Sequence, residues 1–212
     1  MFLHIKKLVV LTLALFCISG AMAADTAYKE NEHYKVISDK VLEHKEVREF
    51  FSFWCGHCFS LQKPYHYVAE HLPEGTKFVP SPVSILGGPM GVRSQYGHAL
   101  AQLHGIEQEY TETLFRQMHV EGNIPRDESY FKDLFASLGI PNNKYDNEIN
   151  SFAVMSIITK TNNLVEEYKL DAVPEIVVNG KYLVLQESVN NVSELSKLVN
   201  YLVTLDDAKG KK

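Results

Sequence analysis

Three cysteines occur in the 212 residues, and two of them, Cys55 and Cys58, stand three apart with Gly56 and His57 between them. Two thiols at this spacing can form a structural staple, half of a metal site or a redox dithiol. A staple stabilises mainly by closing a loop in the unfolded chain, more for longer loops, and a ring from Cys55 to Cys58 closes almost none. A zinc site would need two further ligands. His66 and His71 follow, but five positions apart on a helix they diverge by about 140°. The redox reading remains. Cys55 is then the attacking thiol, which links to the partner sulfur, and Cys58 is the one that resolves the mixed disulfide.

The elements around the pair must position it. Glu49 to Cys58 reads EFFSFWCGHC. An apolar run of strand character (Phe50, Phe51, Phe53, Trp54) leads straight into the thiols, on a strand read from Val47 to Phe53. Leu61, Tyr65, Val68, Ala69 and Leu72 then recur at helical spacing. A strand that ends in Cys-x-x-Cys and opens a helix reads as a thioredoxin-like redox site. The first cysteine sits where unpaired helix amides and the macrodipole favour negative charge, so a thiolate there is stabilised and nucleophilic. His57 adds positive charge beside it when protonated. Glu49 lies inside the aromatic run. Desolvation there should raise its pKa toward neutrality, which suits an acid that moves protons to and from Cys58. Pro64 lacks the amide a helix interior needs and is expected to kink the helix near Ser60 to Pro64.

The start of the chain carries a different signal. His4, Lys6 and Lys7 precede an apolar run from Leu8 to Ile18, too short to span a bilayer. Ala21-Met22-Ala23 follows as a small-residue cleavage site, so residues 1–23 read as a secretory signal peptide. Cys17 falls inside it as apolar filler. The net charge of −5 becomes two units more negative without Lys6 and Lys7, which argues against a nucleic-acid partner. The exported remainder keeps only the two thiols of the motif, a pattern that points to chemistry.

Along the rest of the chain, Tyr34 to Ile37 and Lys77 to Val79 read as strands, with Glu43 to Glu46 as a charged turn. Pro80 and Pro82 should end or bulge the second strand by Val79. Gly87, Gly88, Pro89 and Gly91 break the pattern. Helical stripes follow: Tyr96, Leu100 and Leu103; Leu114 and Met118; Tyr130 to Leu138; and a long helix from Phe152 to Tyr168. Glu175 to Val178 and Lys181 to Val184 flank Asn179-Gly180, a strong hairpin signal. A last helix runs from Val192 to Leu205, with Asn191 and Glu194 placed as a capping pair. Asn191-Val192-Ser193 also matches a glycosylation acceptor, relevant only to a eukaryotic route. The chain thus divides into a signal peptide (1–23), the first part of a sheet domain (24–83), an inserted helical domain (84–161), the second part of the sheet domain (162–205) and a polar tail (206–212).

EFFSFWCGHC, LPEG (Leu72 to Gly75), GGPMG (Gly87 to Gly91) and VPEIVVNGKYLV (Val173 to Val184) resemble, in order and over nearly the whole exported chain, the DsbA-type thiol:disulfide oxidoreductases of the bacterial periplasm. The resemblance implies an α/β thioredoxin-like fold with an inserted all-helical domain. It also implies a periplasmic monomer that gives its Cys55–Cys58 disulfide to unfolded or newly exported polypeptides, with no cofactor and no metal. A membrane protein of the DsbB type would reoxidise it. The fold also implies that the Val173-Pro174 bond is cis and faces the dithiol, and that Val173 and Pro174 dock an extended substrate segment by strand addition. Two departures stand out. Gly56-His57 replaces the common Pro-His and matches the dipeptide of eukaryotic disulfide isomerases. Pro80 and Pro82 stand where many members carry lysine and histidine, which leaves Glu49 without an ion pair from that strand. The alternative functions are disulfide isomerase or reductase, and a non-catalytic binder of unfolded chains. No dimerisation segment of the isomerase kind is evident.

Overall fold

A computed structural model describes residues 28–209 of the chain, with side chains to 205. The signal peptide expected over 1–23 lies outside the described residues. Strands β1 (Tyr34–Val36) and β2 (Glu46–Phe51) come first, then helices α1 (Gly56–Ser60) and α2 (Gln62–Glu70) and strand β3 (Lys77–Pro82). Five helices follow: α3 (Gly88–Leu103), α4 (Glu107–His119), α5 (Glu128–Ser137), α6 (Asn142–Glu148) and α7 (Phe152–Tyr168). β4 (Glu175–Val178), β5 (Tyr182–Val184), a 3-10 turn over Gln186–Ser188 and α8 (Val192–Lys209) complete the chain.

The strands form one sheet in the order β1-β5-β4-β2-β3. β2 and β3 are parallel, and the other neighbours are antiparallel. All six residues of β2 are buried, the charged Glu46, Arg48 and Glu49 among them, because β2 is an interior strand covered on both faces. One core packs Val47, Tyr65, Val68, Ile176, Leu198 and Leu202 between the sheet, α2 and α8. A second joins Phe51, Phe53 and Cys58 to Leu100, Tyr110 and Phe115 of the inserted helices.

Several expectations need correction. β3 runs through both prolines instead of ending at Val79. It is an edge strand, and the amides of Lys77 and Val83 donate to the carbonyls of Lys45 and Phe51. By alternation, Pro80 and Pro82 occupy positions whose amides would point away from the sheet, so no ladder bond is lost. β2 ends at Phe51, two residues short of Phe53, and Glu46 begins it instead of sitting in a turn. Glu46 is buried because Arg48 donates to its carboxylate at 2.8 Å while also reaching Ser81 at 2.7 Å. α6 carries no apolar stripe and was not expected. The boundary placed between residues 161 and 162 falls in the middle of α7. α8 runs on to Lys209, into the segment expected as a tail, because nothing between Leu205 and Gly210 breaks a helix.

Other features follow from the sequence directly. The helix after the cysteines breaks at Leu61 into α1 and α2, just ahead of Pro64. Asn191 Oδ1 accepts from the Glu194 amide, and Asn191 Nδ2 donates to Glu194 Oε1, both at 3.0 Å. Asn179 and Gly180 take φ of 53° and 68°, the paired positive values of a tight hairpin turn.

Candidate active site

β2 delivers the chain to the site, and the backbone then turns through Ser52, Phe53 and Trp54. Cys55 becomes the N-cap of α1 in an extended conformation (φ −95°, ψ 106°). Its amide bonds the Ser52 carbonyl at 3.0 Å. Its Sγ accepts from the Cys58 amide at 3.0 Å, so a backbone donor already faces the sulfur where negative charge would develop. Cys55 is 8% exposed and Cys58 0%, and both are free thiols. Burial, and next its hydrogen bond with Cys55, push the Cys58 thiol far above its ordinary range. Negative charge on Cys55 or Glu49 adds to that shift, and a backbone bond at Ser52 opposes it. The two sulfurs therefore differ in reach, and Cys58 holds its proton tightly. Gly56 and His57 are exposed at the tip, and the Ser60 hydroxyl bonds the His57 carbonyl at 2.7 Å.

Glu49 sits in β2 opposite Ile176 on β4 and Pro80 on β3. It is 3% exposed, and burial raises its carboxyl from 4.5 to about 8. Its Oε1 has no hydrogen-bond partner among the described residues. Pro80 supplies no cation, and Glu49 is held by desolvation alone. It acts electrostatically on Cys58 and on Tyr65, whose burial, with Glu49 next, drives the phenol well up.

The Val173-Pro174 bond is cis. Cys55 Sγ points at the Val173 carbonyl at 3.8 Å, which brings together residues 118 positions apart. Gln186 pins this loop: its Nε2 donates to the Pro174 carbonyl at 3.0 Å, while its Oε1 accepts from the Tyr65 hydroxyl at 2.5 Å. Two further residues hold the approach to Cys55. His119 Nε2 bonds the Phe53 carbonyl at 2.8 Å and its ring stacks on Phe59 at 5.1 Å. Gly87 adopts φ 84°, and a Cβ there would stand 2.3 Å from the Trp54 ring. Gln186, Tyr65, His119 and Gly87 were not singled out from sequence. Tyr65 lay in an apolar stripe and Gly87 in a breaker cluster, while Gln186 and His119 carried no signal.

Among the described residues, no group of three or more His, Cys, Asp and Glu side chains is arranged to hold a metal ion. One thiol that reaches the surface and one hidden behind it suit thiol–disulfide exchange, and the mixed sheet with its helical insertion is that of a thioredoxin-fold oxidoreductase. A family model described as "DSBA-like thioredoxin domain" matches residues 46–201, and the chain belongs to that family of thiol:disulfide oxidoreductases, which work through a redox-active cysteine pair.

Relatives agree. The thiol:disulfide interchange protein DsbA of Yersinia pestis is 30% identical, over 91% of this chain and 97% of its own length. That of Escherichia coli (strain K12) is 33% identical, over 80% and 83%. Among solved structures, a Proteus mirabilis DsbA variant with the non-covalently bound peptide PWATCDS superposes with a TM-score of 0.76 at 28% identity, covering 84% of this chain and 98% of the other.

Proposed function

We propose that this protein introduces disulfide bonds into newly exported, unfolded polypeptides of the periplasm, acting as a monomer and without any external cofactor. The observation that carries the reading is the asymmetry of the dithiol: a helix-capping Cys55 in front of a buried, proton-holding Cys58. In the oxidised protein a substrate thiolate attacks Cys55 Sγ. The Cys55–Cys58 bond breaks, and Cys58 departs with the electron pair. Glu49, protonated near neutral pH by its burial, gives that sulfur its proton. A second substrate thiolate then attacks the substrate sulfur of the mixed disulfide, and Cys55 leaves as a thiolate. The substrate has lost two electrons and the protein holds them as a dithiol.

His57, exposed beside Cys55, contributes positive charge when protonated, and the Gly56-His57 pair tunes the stability of the reduced form. Val173 and Pro174 offer backbone to an extended substrate segment. Support comes from the 3.8 Å approach of Cys55 to the Val173 carbonyl and from the peptide bound to the Proteus mirabilis relative. A membrane protein of the DsbB type takes the two electrons back. The test is oxidation of a reduced, unfolded disulfide protein together with equilibration in glutathione buffers. Catalysed oxidation and a potential above that of cytosolic thioredoxin are expected. A potential as low as thioredoxin's would assign the chain to reduction, and efficient reshuffling of scrambled disulfides without net oxidation would assign it to isomerisation.

A further inference from the structure

Residues 171–174 lie between α7 and β4 and stand outside the sheet, whose ladder here starts at the Phe50–Glu175 pair. Among the described residues, the backbone of this loop has two hydrogen-bond partners, and both are side chains. The Cys55 thiol donates to the Val173 carbonyl at 3.8 Å, and Gln186 Nε2 donates to the Pro174 carbonyl at 3.0 Å. Val173 also packs against two apolar clusters. The first bond exists only while Cys55 carries a proton. Once its sulfur is joined to Cys58 or to a substrate, there is no S–H left to donate. The second bond survives every step of the exchange. In the oxidised protein and in the mixed disulfide, the hydrogen bonding of the loop therefore rests on Gln186.

Gln186 is itself held. An amide side chain can be turned either way, and here its partners decide. The Pro174 carbonyl can only accept, so the amino group of Gln186 faces it. Oε1 is then free to accept from the Tyr65 hydroxyl at 2.5 Å. A reversed amide would set two oxygens against each other at Pro174. Tyr65 is 1% exposed in α2, the helix that follows Cys58 and α1, and its burial, with the charge of Glu49 next, keeps the phenol protonated as a donor. One hydroxyl and one amide thus tie the helix leaving the dithiol to the loop that faces it. Pro174 has no amide and its carbonyl is taken. Val173 is left as the residue whose amide and carbonyl can pair with an incoming strand.

We propose that Gln186, oriented by Tyr65, is a positioning residue that keeps Val173 presented to a substrate main chain while Cys55 is engaged in a disulfide. It thereby sets the preference of the oxidised protein for peptide thiols over thiols that carry no peptide backbone. The proposal rests on the docking role given to Val173 and Pro174 above. A loop already held in its docking conformation spares the substrate the cost of ordering it. Gln186 makes its hydrogen bonds to Pro174 and Tyr65 and to neither sulfur, so the exchange of sulfur bonds itself is untouched.

The test is single-turnover reduction of the oxidised full-length protein by rising concentrations of a reduced, cysteine-containing peptide and, in parallel, of 2-mercaptoethanol, which has no main chain to pair. With the unsubstituted protein the peptide reaction should saturate and outpace that of mercaptoethanol. Gln186→Leu, which removes both bonds, should raise the peptide concentration at half-saturation several-fold. The limiting rate, and the rate with mercaptoethanol, should change little. Tyr65→Phe, which keeps the ring and removes the hydroxyl, should give a smaller shift in the same direction. The two substitutions together should do no more than Gln186→Leu alone. Equal slowing of both thiols in Gln186→Leu would mean that Gln186 only supports the fold, and an unchanged half-saturation would mean that the loop holds itself. Either result overturns the proposal and leaves the docking role of Val173 standing. An unsubstituted protein that shows neither saturation nor an advantage for the peptide would remove the docking role and this inference with it.

Discussion

Cys55 and Cys58 are three residues apart in sequence, yet they inhabit different chemical surroundings. Cys55 caps α1 with its sulfur and keeps some exposure; Cys58 is 0% exposed and holds its proton tightly. Alkylation of the reduced protein at neutral pH should therefore label Cys55 first and leave Cys58 untouched. Mass mapping checks this, and early labelling of Cys58 would reverse the roles. Glu49 leads to a second expectation. Its proton is bound more tightly in the folded chain, so the stability it contributes is full below 4.5 and is lost as the pH climbs to about 8. His98, lowered from 6.5 to about 4, acts in the opposite sense below 6.5. Glu175, raised from 4.5 to about 7, adds to the loss only up to that point. Between pH 7 and 8 the slope belongs to Glu49, with a limit of about 1.4 kcal/mol per pH unit. Urea titrations in that window should show stability falling with pH. Glu49→Gln should flatten the curve while slowing disulfide exchange; an unflattened curve would mean the burial of Glu49 has another resolution.

At the scale of elements, what the sequence made legible was what depends on near neighbours. The helix after the thiols, its break ahead of Pro64, the hairpin at Asn179-Gly180 and the bounds of α7 all follow from local pattern. The extent of β3 does not, because two prolines can be accommodated or not according to whether the strand is an edge, and that is decided by the whole sheet. α6 was hidden for a similar reason. Asn142 to Glu148 has no apolar stripe, and the helix is anchored through buried Tyr145, whose hydroxyl donates to Glu128 at 2.5 Å. The site shows the same division. Cys55, Cys58 and Glu49 announce themselves within ten residues, whereas His119 reaches Phe53 across 66 positions and Gln186 reaches Tyr65 across 121. The N-cap of α3 gives the sharpest test at this scale. Gly87→Ala would put a methyl group into the Trp54 ring at a backbone conformation that disfavours a side chain. A loss of about 1–3 kcal/mol is expected, with a shift in Trp54 emission. Unchanged emission would show that Trp54 moves aside freely.

The whole molecule is tied together by the core that joins Phe51, Phe53 and Cys58 to Leu100, Tyr110 and Phe115. The sheet and the inserted helices share this packing, so neither part keeps its interior if the other opens. Trp54, the chain's only tryptophan, reports on the junction, while far-UV circular dichroism reports mostly on the helices. The two signals should coincide through a denaturant titration; separated midpoints would mean that the insertion unfolds on its own. The edge at β3 bears on what happens outside the molecule. A sheet edge normally displays a row of amides and carbonyls that can recruit another extended chain. At Pro80 and Pro82 the outward amides do not exist, and α3 packs beside the strand. Along that side the edge lacks two of the donors that a growing β-fibre would need in order to add this protein as its next rung.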